Sequence, residues 1–255
     1  MKPKSFRSAL FVFLMLSLLM SACGLSATPT ATATLLPTHT STPTFTPTAT
    51  STPTQTPLPT VTPNVAATEY ADRSEQMRAE VQKYVDAGYL SSANGGVYDE
   101  LPDFEQDWAQ IGWYRWWASD INVGKVFVLS THFKWSSAIK NPDPSGCGIA
   151  FGISADGVPQ ILFIDRTSVL FLDSNGSSYG RVKGNGRLSL PTSPEIDVTI
   201  VVNNKKQTLL IDDEFIAEFA YENLSGWLGY SVLSGTNKDY GTHCEITNSR
   251  LWKIR

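Results

Sequence analysis

The sequence predicts an all-β domain of short antiparallel strands, arranged as a sandwich or a barrel, in the C-terminal part of the chain. Hydrophobic residues recur at every second position from Trp108 onward, which is the period of a half-buried strand. Turn signals such as Asn185-Gly186 and Asn203-Asn204 separate the alternating segments. No long helical pattern interrupts them, so a parallel α/β sheet is disfavoured.

About ten segments show this alternation, a spacing typical of sandwiches and barrels. In the first of them the large hydrophobic side chains share one face, and the opposite face carries Ser130, His132 and Lys134. The predicted strands are 126–135, 147–154, 160–165, 167–173, 178–183, 195–203, 206–212, 214–219, 227–234 and 243–254.

One short helix is predicted before the strands, over residues 66–90. Met77, Val81 and Tyr84 recur at steps of three and four residues, which gives a single apolar stripe. Gly88 fits the end of such a helix, since glycine is the usual residue just beyond the last turn. The apolar stripe predicts that the helix packs on the β-domain or ends the segment that precedes it.

The N-terminus has the three-part pattern of an export signal. Basic residues precede an unbroken apolar run over 9–20, and the small residues Ser21 and Ala22 come directly before Cys23. The run is too short for a stable membrane-spanning helix.

A cysteine after a small pair resembles the lipobox of bacterial lipoproteins, although Met20 stands where that family prefers leucine. The resemblance implies cleavage before Cys23 and its lipidation, which would anchor the protein in a membrane. The alternative is an ordinary secreted protein with an incidental cysteine.

A linker rich in threonine and proline follows the signal. Its main part, residues 28–63, contains no Asp, Glu, Lys or Arg and too little apolar surface to offset the entropy of ordering. Recurrent proline favours an extended, semi-stiff chain, so this disordered segment can hold a domain away from a surface. The chain therefore divides into a signal peptide (1–22), the lipidated cysteine and linker (23–67), a helix with its connection (68–99) and the β-domain (100–255).

The net charge and the cysteine content indicate which classes of partner and which cellular compartment are consistent with the sequence. The chain has a formal net charge of −4, and loss of the three basic residues of the signal leaves −7 for the mature form. No basic block is present, which argues against a nucleic acid partner. With Cys23 lipidated, Cys147 and Cys244 remain, and an even pair in an exported domain predicts a disulfide. Two buried thiols are the alternative.

Four stretches of the β-domain follow one another as the strands of a known class of folds do: 196–202, 207–213, 226–230 and 244–252. Together they resemble the second half of concanavalin-like (laminin-G-like) jelly rolls, and the resemblance covers roughly residues 100–255. It implies two curved antiparallel sheets in a jelly-roll sandwich, pairing of the first and last strands, and a glycan or protein ligand on the concave face. It also implies that Cys147 and Cys244 join neighbouring strands, or a loop to a strand.

Catalysis is not predicted. One branch of the jelly-roll superfamily contains glycoside hydrolases with a Glu-x-Asp-x-x-Glu strand, whose carboxylates act as nucleophile, assistant and acid. Glu195-Ile196-Asp197 begins this pattern, but Ile200 stands at the position of the acid. Without that proton donor, Glu195 and Asp197 are interpreted as solvated residues at the start of a strand.

No cofactor is predicted, and histidines this far apart in the chain do not suggest a metal site. Calcium is possible in the acidic turns, as in the families that the domain resembles.

An aromatic cluster before Asp120 is the first candidate for a binding face. It contains Trp113, Tyr114 and Trp116, and adjacent residues on a strand point to opposite faces. One set is therefore expected to fill the sandwich. The other set either lies on a surface where flat rings stack on sugars, or forms a second packed layer that the N-terminal helix covers, and the second arrangement is favoured because large aromatic side chains dominate cores.

The loop over residues 234–241 is the second candidate. It is polar, bounded by glycine, and carries Asn237, Asp239 and Tyr240, as recognition loops do. The alternative is a turn that only orients Cys244.

These features predict a non-catalytic, lipid-anchored domain at the cell membrane, facing outside the cytoplasm, that binds carbohydrate or a cell-envelope partner. The export signal, the long spacer, the sandwich pattern and the surplus of aromatic residues favour this function. One alternative is a glycoside hydrolase-like enzyme with an atypical active site. The other is a structural or sensory module that contacts another protein.

Overall fold

The computed structural model describes residues 64–140, 144–153, 159–173, 181–220 and 224–254. These residues form one α-helix and thirteen β-strands. The predicted signal peptide, Cys23 and nearly all of the threonine- and proline-rich linker lie outside the described residues. Within the described ranges, no helix is long and apolar enough to cross a membrane.

The helix, α1, spans Val65–Asp86. The side chain of Asn64 accepts a hydrogen bond from the Ala67 backbone nitrogen at 3.2 Å, which satisfies one of the free donors of the first turn. The helix ends before Gly88, whose φ of 78° is a left-handed conformation that glycine adopts without a steric penalty. The predicted apolar stripe is confirmed, because the buried residues of α1 are Met77, Val81 and Tyr84.

The strands follow the helix in the chain. They are β1 (Gly96–Glu100), β2 (Phe104–Trp108), β3 (Trp113–Val123), β4 (Val126–Ser137), β5 (Gly146–Ile153), β6 (Gln160–Asp165), β7 (Val169–Leu172), β8 (Arg181–Gly184), β9 (Glu195–Asn203), β10 (Lys206–Ile211), β11 (Glu214–Ala220), β12 (Gly226–Ser234) and β13 (Thr242–Ile254).

Two antiparallel sheets contain these strands. The large sheet has eight strands in the order β1-β13-β4-β9-β10-β11-β8, and β2 pairs with β13 as well. The small sheet has five strands in the order β3-β12-β5-β6-β7. The chain crosses repeatedly from one sheet to the other, so the fold is an all-β jelly-roll sandwich preceded by one helix. The first and last strands pair, as expected, with Gly96 opposite Ile254.

The main hydrophobic core lies between the two sheets. Alternation along each strand sends every second side chain into it, and aromatic rings dominate the middle. The largest fully buried side chains of this cluster are Trp135, Phe127, Phe133, Phe151, Phe171 and Phe219.

The helix packs on the outer face of the large sheet. There Met77, Val81 and Tyr84 form a second buried cluster with apolar side chains that point away from the main core. Those side chains include Val128, Val201, Leu210 and Trp252. The helix therefore covers part of one sheet face, and the remainder of that face stays open.

The disulfide between Cys147 and Cys244 is confirmed, with an S–S distance of 1.99 Å. Cys147 lies on β5 of the small sheet and Cys244 on β13 of the large sheet, and both are fully buried. The bond thus joins the two sheets through the core. The expectation that it joins neighbouring strands, or a loop to a strand, is wrong, because the two inward-facing cysteines meet across the sandwich.

The predicted strands agree closely with the observed ones. Those at 160–165 and 195–203 have the observed bounds of β6 and β9. Part of the predicted strand at 178–183 lies outside the described residues. The predicted strand ranges do not include β1, β2 or β3, although the aromatic cluster at the start of β3 was expected to lie on a strand. The strand β1 begins at Gly96, inside the stretch expected to connect the helix to the β-domain.

Candidate functional site

A polar surface occupies the part of the large sheet's outer face that α1 leaves open. Side chains alternate along β4, so Val128 faces the helix, and Ser130, His132 and Lys134 follow on the same side of the strand. The adjacent strand β9 places Thr199, Asp197 and Glu195 opposite these three residues in register.

The strands β2 and β13 extend this surface. We call the whole surface the polar face, and it consists of Glu105, Asp107, Ser130, His132, Lys134, Glu195, Asp197, Thr199, His243, Glu245 and Arg250. Strand pairing places His243 beside Asp107, and Glu245 beside both Glu105 and Lys134. Charged groups of opposite sign therefore face one another across four neighbouring strands.

Both ring nitrogens of His132 meet carboxylates of β9. Nδ1 lies 2.8 Å from Asp197 Oδ1, and Nε2 lies 3.3 Å from Glu195 Oε1. A neutral imidazole has one N–H donor and one acceptor. The two carboxylate partners fix the orientation of the ring on the sheet.

His243 has a similar environment on β13. Its Nδ1 lies 2.7 Å from Asp107 Oδ1, and its Nε2 lies 3.2 Å from Glu245 Oε1. Partial burial opposes protonation, but the hydrogen bonds with Asp107 and Glu245 outweigh it and raise the pKa of His243 above the ordinary value of 6.5. The polar face therefore stabilises the protonated form of this imidazole relative to a free histidine.

An ion pair between Lys134 and Glu245 links β4 to β13. The Lys134 Nζ lies 2.8 Å from Glu245 Oε1. Their hydrogen bond raises the pKa of Lys134 and lowers the pKa of Glu245. Exposed pairs of this kind add little to the free energy of unfolding, so their main effect is to fix the positions of side chains that a ligand could contact.

A groove of about 590 Å³ lies between α1 and the polar face. This volume is within the range of small-molecule sites, about 300–1,000 Å³. The helix contributes Glu80, Lys83 and Tyr84 to its wall, and the turn after β10 contributes Asp212 and Asp213. The sheet side of the groove is formed by Ser130, Thr131, His132, Asp197, Thr199, Asn248 and Arg250.

Arg250 reaches the groove because β13 contains a bulge. Thr247 lies opposite His132 and Arg250 opposite Ser130, so β13 has one residue more than β4 between these two pairs, and bulges of this kind re-aim side chains. The guanidinium is then held by the helix, since its Nη1 lies 2.9 Å from Glu80 Oε1. The bulge and the ion pair together place a fixed cation at the helix side of the polar face.

The predicted loop comes to the edge of this surface. The ring of Tyr240 lies 6.5 Å from that of His243, nearly perpendicular to it, and the residue is 38 % exposed. Asn237 and Asp239 are exposed in the same loop. Tyr240, which was proposed from the sequence for ligand binding, therefore lies beside His243 of the polar face.

The aromatic cluster lies on the small sheet, along β3. Tyr114 and Trp116 pack on that sheet's outer face, with the Tyr114 ring 5.5 Å from Phe163. Trp117 points the other way and packs against the main core, which agrees with the expected opposite faces. Trp113 is 63 % exposed at the start of the strand. The helix α1 packs on the large sheet, so the expectation that it covers this second layer is wrong.

Glu195 and Asp197 are exposed near the start of β9, as predicted from the sequence, with side chains 65 % and 76 % accessible. Ile200 is buried between the sheets. Thr199 takes the next outward position on the strand. The strand β9 therefore presents two carboxylates and one hydroxyl, that of Thr199, to the polar face.

The acidic turn after β10 is one of the turns in which the sequence allows a calcium site. The Asp212 Oδ1 accepts a hydrogen bond from the Asp197 backbone nitrogen at 2.9 Å, so one carboxylate oxygen already has a partner. Calcium takes six to eight oxygen ligands. In the part of the chain that the structure describes, no group of three or more His, Cys, Asp or Glu side chains is arranged to hold a metal ion.

No family model and no curated protein sequence matches the chain. Solved structures resemble it at low identity. The carbohydrate-binding module CBM66 from Bacillus subtilis is 9 % identical with a TM-score of 0.43, and the match covers 61 % of this chain and 94 % of that one. A protein of unknown function with a galectin-like fold, also from Bacillus subtilis, is 10 % identical with a TM-score of 0.41, covering 65 % and 93 %. The exoplasmic/lumenal domain of VIP36, in a Ca²⁺/Man3GlcNAc-bound form, is 12 % identical with a TM-score of 0.41, covering 63 % and 85 %. Structural similarity at this low identity does not indicate what the protein binds.

Sequence reasoning did not identify His132, His243 and Arg250 as site residues. The signal for His132 was present, because alternation already placed it on the hydrophilic side of its strand. His243 and Arg250 become site residues only through the pairing of β13 with β2 and β4, which the sequence alone does not show.

Proposed function

We propose that the polar face and its groove bind carbohydrate. The observation that carries this proposal is the set of donor and acceptor side chains that four neighbouring strands hold beside an open groove. Sugar hydroxyls both donate and accept hydrogen bonds, so they can pair with carboxylates, imidazoles, ammonium and guanidinium groups placed side by side. Because the strands fix these groups in advance, less ordering is needed when a ligand binds.

Tyr240 and Arg250 mark the two ends of the proposed site. The exposed ring of Tyr240, beside His243, offers an apolar face for the C–H side of a sugar. Arg250, held by Glu80 at 2.9 Å, offers further N–H donors in a planar fork. We expect a bound oligosaccharide to lie along the sheet between these two residues.

A glycan array tests this proposal. The purified protein, kept in a detergent without a sugar headgroup, is applied together with the variants His132→Ala, Asp197→Ala and Tyr240→Ala. Removal of a hydrogen bond to a charged group costs about 1.5–3 kcal/mol, so we expect the first two variants to bind about ten- to a hundredfold more weakly. Tyr240→Ala should also weaken binding, because the stacking surface is lost.

Trp113→Ala is the matched control, because Trp113 is an exposed aromatic residue on the small sheet. We expect this variant to bind as the unmodified protein does. Loss of binding in Trp113→Ala, with no change in the three polar-face variants, would assign the site to β3 instead. Absence of binding to every glycan would reject the carbohydrate proposal in favour of a protein partner, which a pull-down from envelope extracts would then identify.

We also propose that a lipid on Cys23 holds this domain outside the cytoplasm. The support is the N-terminal sequence pattern, together with a disulfide of the kind that persists in oxidising compartments. At about 3.1 Å per residue, an extended linker over 28–63 would reach on the order of 100 Å. Living cells fed a traceable fatty acid should label the protein and not its Cys23→Ser variant. An unlabelled wild-type protein would contradict the anchor.

A further inference from the structure

We infer that the polar face selects glycans without negative charge and favours glycans that carry amino groups. This inference rests on the proposed function, since it names the chemical class of ligand for the same site. Its basis is the balance of charged groups around the groove, and the partners that those groups already have.

Negative charge is in excess around the groove. Four carboxylates line it against two cationic side chains: Glu80, Asp197, Asp212 and Asp213, with Lys83 and Arg250. The guanidinium of Arg250 is already engaged by Glu80. Among the residues that the structure describes, Asp212 and Asp213 have no cationic partner. An incoming anion therefore meets a fully available cation only at Lys83, on the helix.

Carboxylates also outnumber cationic side chains on the part of the polar face that extends toward Tyr240. There Glu105, Asp107, Glu195 and Glu245 outnumber Lys134, whose ammonium is paired with Glu245 at 2.8 Å. The groove and the face together hold eight carboxylates, three lysine or arginine side chains and two histidines. Even with both imidazoles counted as positive, the carboxylates outnumber the cationic groups by eight to five.

The excess of carboxylates predicts different affinities for anionic, neutral and cationic sugars. A uronate, sulfate or phosphate group would enter a negative potential that a concave surface focuses, and it would compete with existing carboxylate partners for the guanidinium of Arg250 and the ammonium of Lys134. A neutral hydroxyl can donate to the carboxylates as it stands. An ammonium group gains charge-assisted hydrogen bonds, above all with Asp212 and Asp213, which have no cationic partner among the described residues.

Oligosaccharides with one linkage and different charge measure this selectivity. Equal-length β-1,4-linked oligomers of glucosamine, N-acetylglucosamine and glucuronic acid are cationic, neutral and anionic. At low ionic strength we expect the glucuronic acid oligomer to bind at least about tenfold more weakly than the neutral one, and the glucosamine oligomer to bind at least as tightly. Added salt should narrow both differences, because screening weakens interactions between exposed charges.

A charge-neutral variant isolates the cause. Asp212→Asn/Asp213→Asn keeps the size and hydrogen bonding of both side chains, so we expect it to strengthen binding of the anionic oligomer and to weaken binding of the cationic one. The matched control is Glu69→Gln/Glu75→Gln, which removes the same charge from exposed positions of α1 that do not line the groove. That control should leave the order of affinities unchanged.

The outcomes separate this inference from the proposed function. Binding of the glucuronic acid oligomer as tight as that of the neutral one would overturn the inference and leave the proposed function standing. If none of the three oligomers binds, the glycan array decides: retention of uncharged or amine-bearing glycans supports the inference, and retention of carboxylated, sulfated or phosphorylated glycans overturns it. An array without any bound glycan rejects both.

Discussion

Removal of the disulfide between Cys147 and Cys244 should take away a large part of the protein's stability. The bond joins residues 97 positions apart, so it closes a loop of about a hundred residues in the unfolded chain. In the chain-entropy treatment, a loop of that length corresponds to about 4.7 kcal/mol at 25 °C. A typical domain has a free energy of unfolding of about 5–15 kcal/mol. The loss would therefore bring the protein close to its unfolding threshold.

Urea denaturation followed by tryptophan fluorescence measures this loss in the Cys147→Ala/Cys244→Ala variant. Alanine is chosen because both sulfurs are fully buried, and a serine hydroxyl would lack a partner there. The reduced wild-type protein is the control, since it loses the bond and keeps both sulfur atoms in the core. We expect the free energy of unfolding to fall by about 3–5 kcal/mol in both samples. A fall below about 1 kcal/mol in both would refute the argument from the unfolded chain.

Three further predictions concern the helix, the small sheet and the polar face. Met77→Ala should lower the free energy of unfolding by about 2–5 kcal/mol, because Met77 is fully buried between α1 and the large sheet; unchanged urea denaturation would contradict that packing. Gly229→Ala should lower the melting temperature strongly or prevent folding, because an added Cβ would lie 2.2 Å from the Trp117 carbonyl oxygen; an unchanged melting temperature would be incompatible with the pairing of β12 and β3. His243 has a raised pKa, so its stabilising contribution is fully present below its unfolded value near 6.5 and is lost as pH rises through the higher folded value. From about pH 5 to about pH 9 the wild-type protein should therefore lose more stability than His243→Gln, and parallel curves would contradict this assignment.

Strand positions could be predicted from the sequence wherever alternation was strong. Long strands buried on one or both faces, such as β6 and β9, carry several apolar residues and end at clear turns. By contrast, β1 and β2 have five residues each, with Tyr98 and Phe104 as their one buried residue. Their strand conformation depends on pairing with the edge of β13, and that pairing leaves no periodic signal in so short a segment.

The candidate site could be predicted only in part, because its residues come together through strand order. Alternation placed His132 on the hydrophilic side of β4, but its partner Asp197 lies 65 residues away, and Asp107 lies 136 residues from His243. Register between distant strands is set by the whole sheet. The bulge that turns Arg250 outward adds one residue, which breaks the period of two, so no local pattern shows where that side chain points.

The imidazole signals of His132 and His243 in an NMR titration test the central claim most directly. The ligand is the oligosaccharide that the array retains most strongly, and the variants His132→Ala and His243→Ala assign the two signals. If the polar face is the binding surface, both signals shift in a saturable way and the indole signal of Trp113 stays in place. A saturable shift of the Trp113 indole, with both imidazole signals unchanged, would contradict the account.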